Sequence, residues 1–169
     1  KMTLNGFYRT PCSSYTSGVL PSAYSIAVNQ SNSAIFLTGT TTSSMGNYQT
    51  CTINKSDGGL SCSPYAAFSN IQFPASIATY YPNGSASDGT GRVYVVDSDS
   101  ASGAIYVCNI TTSDTFDGSS CRLIYNTNNG NQFGVAVQYG SQPYLYVSNI
   151  SKTVYRYNIN SDYTLSNPY

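Results

Sequence analysis

The feature that most constrains the fold is a segment that recurs along the chain. Each copy has an anchor residue, an apolar residue two positions later, a polar turn and a closing tyrosine. Three clear copies are CTINKSDGGLSCSPY (51–65), CNITTSDTFDGSSCRLIY (108–125) and YNINSDYTLSNPY (157–169), and a fainter one is MTLNGFYRTPCSSY (2–15). The apolar residues Leu4, Ile53, Ile110 and Ile159 follow one another at steps of 49, 57 and 49 residues. A period of about 50 residues indicates a repeat architecture.

Two further apolar segments recur in each unit. The first alternates small and apolar residues, as YSIAV (24–28), ASIAT (75–79) and FGVAV (133–137). The second is β-branched and aromatic, as AIFLTG (34–39), RVYVVD (92–97) and PYLYVSN (143–149). Turn-forming pairs separate the segments and include Asn83-Gly84, Asp57-Gly58 and Asp117-Gly118. Each unit therefore predicts four short strands.

Four strands in about 50 residues are the unit of a β-propeller blade. We therefore predict an all-β chain of antiparallel blades, with a half blade at 1–20, blade one at 21–70, blade two at 71–128 and blade three at 129–169. An Ig-like or jelly-roll sandwich is the alternative, but it does not require the same four strands to recur. The leading half blade lacks its two inner strands, so we expect either a larger propeller or an assembly of copies through open sheet edges.

The composition agrees with strands and turns. The chain has no Glu, His or Trp, contains 17 Tyr and 14 Gly, and only 8% of its residues are charged. The formal net charge of zero gives no electrostatic footprint for nucleic acid or an anionic membrane. No apolar run approaches the roughly 20 residues of a membrane helix. A surface rich in hydroxyls and amides is typical of secreted or cell-surface proteins.

The five cysteines favour disulfides over metal binding. Cys51 and Cys62, and likewise Cys108 and Cys121, are predicted on adjacent antiparallel strands, within the separation that a disulfide needs. Two such bonds indicate an oxidising compartment, and buried reduced thiols are the alternative. Cys12 is left as an unpaired thiol, because a methionine occupies its expected partner position; it is either a buried free thiol or a link to another chain. Zinc is disfavoured, because the spacing is not that of a CxxC cluster and no His is present.

The third unit resembles a known repeat family. In YVTN/lactonase-type propeller repeats, a GIAV strand leads to YVTN and then to a TVxxxxI…DGTLS hairpin. The corresponding segments here are GVAV (134–137), YVSN (146–149), Thr153-Val154 and Leu165-Ser166. Bacterial members with cysteines in the last two strands are especially similar to units one and two. The resemblance implies the propeller fold, and it carries over only Asp97 and Asn149 as polar channel residues, with Gly39 at the same place in blade one.

Catalytic groups are scarce in this sequence. Without His, a Ser-His-Asp or Cys-His arrangement cannot form within the chain, and without Glu the acid and base options are reduced to Asp, Lys and Tyr. The run DSDS (97–100) lacks the third acid and the closing Glu of a calcium loop, so it is interpreted as a solvated turn. We predict no catalytic residues, no metal and no cofactor.

The predicted function is a non-enzymatic, secreted or cell-surface module for binding or assembly, whose partner is a protein or glycan surface or further copies of the chain. One alternative is a filament subunit that pairs through open sheet edges. Another is a lactonase-like hydrolase with its active residues outside this chain. Five N-x-[S/T] sequons are weak glycosylation candidates, because chance predicts about as many; they are at Asn29, Asn54, Asn83, Asn109 and Asn149.

Overall fold

The computed structural model describes residues 20–41, 45–85, 87–98, 103–126, 132–166 and 168–169. Within these ranges the chain is all-β, and its thirteen strands form three antiparallel sheets. The strands are β1 (Ser22–Val28), β2 (Ala34–Thr40), β3 (Gly46–Ile53), β4 (Leu60–Cys62), β5 (Ala66–Ala67), β6 (Pro74–Tyr80), β7 (Arg92–Asp97), β8 (Ala104–Ile110), β9 (Phe116–Asn126), β10 (Gln132–Gln138), β11 (Tyr144–Asn149), β12 (Val154–Ile159) and β13 (Leu165–Ser166). The predicted half blade lies outside the described residues except for Leu20, and Cys12 lies outside them as well.

Each sheet is a meander whose strands pair in chain order. Blade one has the order β1-β2-β3-β4, with β5 pairing as a short addition to β3. Blade two has the order β6-β7-β8-β9, and blade three has the order β10-β11-β12-β13. The three sheets therefore correspond to the three predicted repeats, and each begins with the strand of small and apolar residues.

The blades stack face to face with their first strands side by side. Strand β6 contacts both β1 and β10, which makes β1, β6 and β10 the inner edge of the stack. The second strand of blade two is buried on both faces: Val93 and Val95 pack toward blade one, whereas Tyr94 and Val96 pack toward blade three. We call the face toward the next blade the forward face and the opposite one the back face. This stacking of four-stranded sheets is that of successive β-propeller blades.

An aromatic cluster fills the outer part of the first interface. Tyr48 and Phe68 of blade one lie 5.0 Å apart, measured between ring centroids. The Tyr48 centroid also lies 5.2 Å from that of Phe116 in blade two. Phe36 joins the cluster at 5.7 Å from Phe116. Tilted ring pairs at these distances stabilise beyond the area they bury. They fix the outer strands of the two blades against each other.

One predicted turn is wrong. Asp117-Gly118 lies inside β9, and the hairpin turn precedes it at residues 111–115. The Thr111 N–H donates to the Thr115 carbonyl, and Asp114 takes the left-handed conformation with φ of 58°. Asp is one of the few non-glycine residues that adopts this conformation readily, so the Asp-Gly pair is not needed for the turn.

Both predicted cysteine pairs are bonded in the structure. Cys51 on β3 joins Cys62 on β4, and Cys108 on β8 joins Cys121 on β9. The first pair lies directly opposite in the strand register. The second crosses an irregularity, where the Ser120 hydroxyl accepts a hydrogen bond from the Asn109 N–H at 2.7 Å. Each disulfide closes the two outer strands of its blade. None of the described residues forms a helix that could cross a bilayer.

Candidate functional site

The first strand of every blade carries a β-bulge at the same position. In blade one the pairing passes from Ala23↔Gly39 to Ser25↔Thr38, which leaves Tyr24 as the extra residue. The same register shift leaves Ala75 as the extra residue in blade two and Phe133 as the extra residue in blade three. Bulges redirect a side chain and are often found next to binding sites. Three repeats of one bulge at the inner edge therefore mark this end of the stack as a candidate site.

The bulged ends line a concave pocket of about 630 Å³, which we call the bulge pocket. Its lining residues are Ala23, Tyr24, Phe73, Ala75, Ser98 and Phe133. The three aromatic side chains are unusually exposed, at 56% for Tyr24, 44% for Phe73 and 52% for Phe133. Each blade thus contributes one exposed aromatic ring to a common concave surface. Exposed aromatic groups that converge on a pocket are typical of ligand sites.

Asp97 and Ser98 hold Phe73 at the pocket. The two carboxylate oxygens of Asp97 accept hydrogen bonds from the backbone N–H groups of Gln72 at 3.1 Å and Phe73 at 3.0 Å. The Ser98 N–H and hydroxyl donate to the Phe73 carbonyl at 2.8 and 3.3 Å. Asp97 is buried, and its carboxylate binds the backbone N–H groups at and before the residue that carries the aromatic ring. Its place in the structure is that of a positioning residue.

The other two positions suggested by the family resemblance also have local structural roles. Asn149 is buried, and its side-chain carbonyl accepts the Thr153 N–H at 3.1 Å in the turn between β11 and β12. Gly39 pairs with Ala23 beside the bulge, where an added Cβ would collide with the Ser22 carbonyl. The strand register places three residues at the same position, each paired with the residue just before a bulge: Gly39, Asp97 and Asn149. All three support the bulged end of a first strand.

The chemistry of the bulge pocket is apolar with a few hydroxyls. None of the described side chains that line it carries a formal charge; the Tyr24 hydroxyl hydrogen-bonds the Thr40 hydroxyl at 2.9 Å, and Ser98 contributes a second hydroxyl. Such a surface can stack against a flat, uncharged ligand and hydrogen-bond its hydroxyls. Among the described residues, no three His, Cys, Asp or Glu side chains cluster closely enough to hold a metal ion.

A second, polar pocket of about 300 Å³ lies between blades one and two at the opposite end of the strands. Asp114 dominates it, accepting hydrogen bonds from the Asn29 side-chain amide at 2.7 Å, the Ser31 hydroxyl at 2.8 Å and the Tyr81 hydroxyl at 2.9 Å. Burial raises the pKa of Tyr81, so its hydroxyl stays protonated as the donor. These contacts join the turn after β1 to the turn before β9. We call this set the inter-blade clasp.

The sequons divide by burial. Asn29 is buried, and its side-chain amide donates within the inter-blade clasp, so a glycan on that nitrogen is incompatible with this geometry. Asn149 is buried as well. Asn54, Asn83 and Asn109 are exposed.

Sequence reasoning missed the aromatic residues of the bulge pocket. The signal was present, because Tyr24 and Phe133 each stand immediately before the small-residue motif, as YSIA (24–27) and FGVA (133–136). Blade two has alanine at that place, and Phe73, two residues earlier, supplies the ring. The pattern could not be recognised without the bulge, because an unbulged strand does not bring these positions together.

The fold and site together define an all-β stack of three propeller blades, two of them closed by a disulfide, with an aromatic pocket at its inner edge. The chain matches no known protein-family model and no curated protein sequence.

Proposed function

We propose that this chain is a non-enzymatic, secreted or cell-surface binding module of the YVTN-type propeller class, and that its bulge pocket takes up a neutral saccharide. The observation that carries the proposal is the convergence of Tyr24, Phe73 and Phe133, one exposed ring from each blade, on a single uncharged pocket. The two disulfides support an oxidising, extracellular setting.

A saccharide fits the pocket for physical reasons. The C–H faces of a sugar ring stack on aromatic side chains, and the Ser98 hydroxyl can bond the sugar's hydroxyls. An uncharged pocket gains nothing from an acidic or basic ligand, whose desolvation would be unfavourable there. Both Asp97 oxygens accept backbone N–H groups, and this positioning of Phe73 supports a binding role over hydrolysis.

The test is a titration of a panel of neutral oligosaccharides, followed by NMR or calorimetry. We expect Phe133→Ala to weaken binding by at least about tenfold, since hot-spot aromatic residues typically contribute 2 kcal/mol or more. Leu123→Ala is the matched control, because Leu123 is also a large exposed apolar residue but lies on β9, outside the pocket. Binding that Phe133→Ala leaves unchanged would contradict the proposal.

Two other results would point elsewhere. If apolar peptides bind the pocket and sugars do not, the module recognises a protein surface. If the chain hydrolyses lactones above background, the non-enzymatic role is wrong and the lactonase-like alternative gains support.

A further inference from the structure

The contact between neighbouring first strands is seen twice in this molecule. Ile77 of blade two packs its side chain into the interface with blade one, and its N–H donates to the Ser25 hydroxyl at 3.1 Å. Val135 of blade three packs against blade two in the same way, and its N–H donates to the Ser76 hydroxyl at 3.3 Å. The interface therefore has a repeated form, in which an apolar back face meets a forward face that offers small residues and a hydroxyl.

One half of this interface is open on blade one. By register, Ile26 is equivalent to Ile77 and Val135. Ile77 is 4% exposed, whereas Ile26 is 58% exposed. Val28, two positions along on the same face, is 44% exposed. The back face of β1 is thus an apolar strip of the kind that blades two and three bury.

The other half is open on blade three. Tyr146 occupies the register position of Phe36 and Tyr94, which are fully buried by the next blade, yet it is only partly buried. A shallow depression of about 270 Å³ surrounds it, lined also by Gly134, Ala136, Ser148 and Val154, with Val135 at its edge. We call this surface the open face of blade three. Ala136 is exposed on it, as the counterpart of Ala27, which packs against the first core.

The open face also retains the hydroxyl of the repeated interface. Blade three has Gly134 where the other blades have Ser25 and Ser76, and the Ser148 hydroxyl lies 2.7 Å from the place that a Gly134 Cβ would take. This hydroxyl has no hydrogen-bond partner among the described residues. It can therefore accept from a backbone N–H of an incoming strand, as Ser25 and Ser76 do.

The outer part of the same face is polar. The Arg156 guanidinium lies over the rings of Tyr144 and Tyr169, at 4.9 and 4.8 Å, and its buried Nε has no hydrogen-bond partner within the described part of the chain. An apolar centre beside a polar margin is the usual composition of a protein interface. The unsatisfied donor favours an occupant that supplies backbone or side-chain oxygens.

From these observations we infer that the open face of blade three binds the back face of β1 in a second copy of this chain, so that copies associate head to tail. Ile26 and Val28 of one copy pack against Ala136 and Tyr146 of the other, and the Ile26 N–H faces the Ser148 hydroxyl. This goes beyond the proposed saccharide binding, because neither open surface needs a ligand in the bulge pocket. Such a contact is heterologous, and it produces either a closed ring or a filament.

The experiment measures the mass of the full chain by analytical ultracentrifugation up to millimolar concentration. We expect the wild type to associate, and Ile26→Asp and Ala136→Arg each to weaken association by at least about tenfold, because each places a charge in an apolar contact. Both residues are exposed, so the fold should persist, and circular dichroism checks this. Leu123→Asp, on an exposed site of β9, is the control and should associate as the wild type does.

A mixture of the two variants makes the test specific. The Ile26→Asp chain keeps an intact open face on blade three, and the Ala136→Arg chain keeps an intact back face on β1. An equimolar mixture should therefore form one-to-one dimers and nothing larger. A wild type that stays monomeric throughout, association that survives either substitution, or a mixture that stays monomeric would each overturn the inference. Saccharide binding by the same samples is measured separately, so either proposal can fail without the other.

Discussion

Asp97 illustrates how a residue that sequence comparison suggests for a channel can serve to position its neighbours. Its carboxylate is buried and accepts the N–H groups of Gln72 and Phe73. Removal of the carboxylate takes this acceptor from two backbone N–H groups in a low-dielectric region. An unsatisfied donor there lowers the stability of the fold. The orientation of Phe73 in the bulge pocket therefore depends on a residue that does not line it.

We expect Asp97→Ala to lower the free energy of unfolding by about 3 kcal/mol, because hydrogen bonds to charged groups contribute about 1.5–3 kcal/mol each and are not fully additive. Chemical denaturation measures the change. Asp57→Ala is the control: Asp57 is exposed and, among the described residues, accepts a hydrogen bond from the Gly59 N–H alone, at 2.8 Å, so its loss should cost less than about 1 kcal/mol. Equal losses in the two variants would show that Asp97 has no special role.

The hydrogen bonds of the Asp88 carboxyl predict a pH dependence of stability. Hydrogen bonds from Thr90 and Asn83 lower the pKa of this exposed carboxyl from 3.8 to about 2. Because the folded-state pKa is depressed, the stabilisation is present above pH 3.8 and is lost as the pH falls toward about 2. An NMR titration of the carboxyl carbon should show Thr90→Val raising the pKa toward 3.8 and Thr90→Ser leaving it low. An unchanged pKa in Thr90→Val would contradict this assignment.

At the scale of the strands, the contact between β9 and the aromatic cluster is close. A Cβ on Gly118 would collide with the ring of Tyr48, which is itself held between Phe68 and Phe116. We expect Gly118→Ala to cost about 1–3 kcal/mol, the usual effect of overpacking an interior. Chemical denaturation would compare it with Gly140→Ala.

Gly140 is the matched control because the nearest atom to its added Cβ, the Gln142 carbonyl oxygen, is 3.7 Å away and its φ is not positive. Its substitution should change stability by no more than about 0.5 kcal/mol. If both alanine variants were equally stable, the Tyr48 ring would have to move without cost, and the cluster would not fix the two blades.

The strands could be predicted from the sequence because each depends on a local pattern that recurs three times. The alternation of small and apolar residues, the β-branched strand and the cysteine anchors all fall within the strands observed. The bulges could not be predicted, since a bulge is defined by the register between two strands and not by either one alone. The bulge pocket depends on them, so its aromatic residues were missed. The turn at Asp114 was missed because Asp-Gly is the stronger local turn signal.

At the scale of the whole molecule, neighbouring blades are joined by side chains from their outer hairpin turns. The outer hairpin turn of each blade has one residue in the left-handed conformation at an equivalent position. These residues are Gly58, Asp114 and Tyr163, with φ of 74°, 58° and 67°. Asp114 reaches Asn29 of blade one, and the Tyr163 ring stacks on the Arg92 guanidinium of blade two at 4.0 Å. Each of these two side chains thus reaches back from its turn to the preceding blade. The conformation that strains a non-glycine residue also directs its side chain across the interface.

A double-mutant cycle tests whether the inter-blade clasp couples blades one and two. Asp114→Gly relieves the left-handed strain but removes the carboxylate that accepts from the Asn29 amide and the Tyr81 hydroxyl, so we expect a net loss of about 2 kcal/mol. The Asn29 amide keeps the Ser31 and Ser33 hydroxyls as acceptors, at 3.1 and 3.2 Å. Combined with Asn29→Ala, Asp114→Gly should show a coupling energy of about 1–2 kcal/mol by chemical denaturation.

Tyr163→Gly is the matched control for this cycle, since it changes the equivalent turn position in blade three and touches no residue of the inter-blade clasp. Its effect and that of Asn29→Ala should add within about 0.5 kcal/mol. Coupling confined to the Asp114 pair would mean that the clasp transmits stability between two blades. Each blade would then depend on its neighbour through the turn as well as through the core, as expected of a protein whose repeats contact only the next in line. Additivity in both cycles would instead leave the apolar core and the contacts between first strands as the source of that dependence.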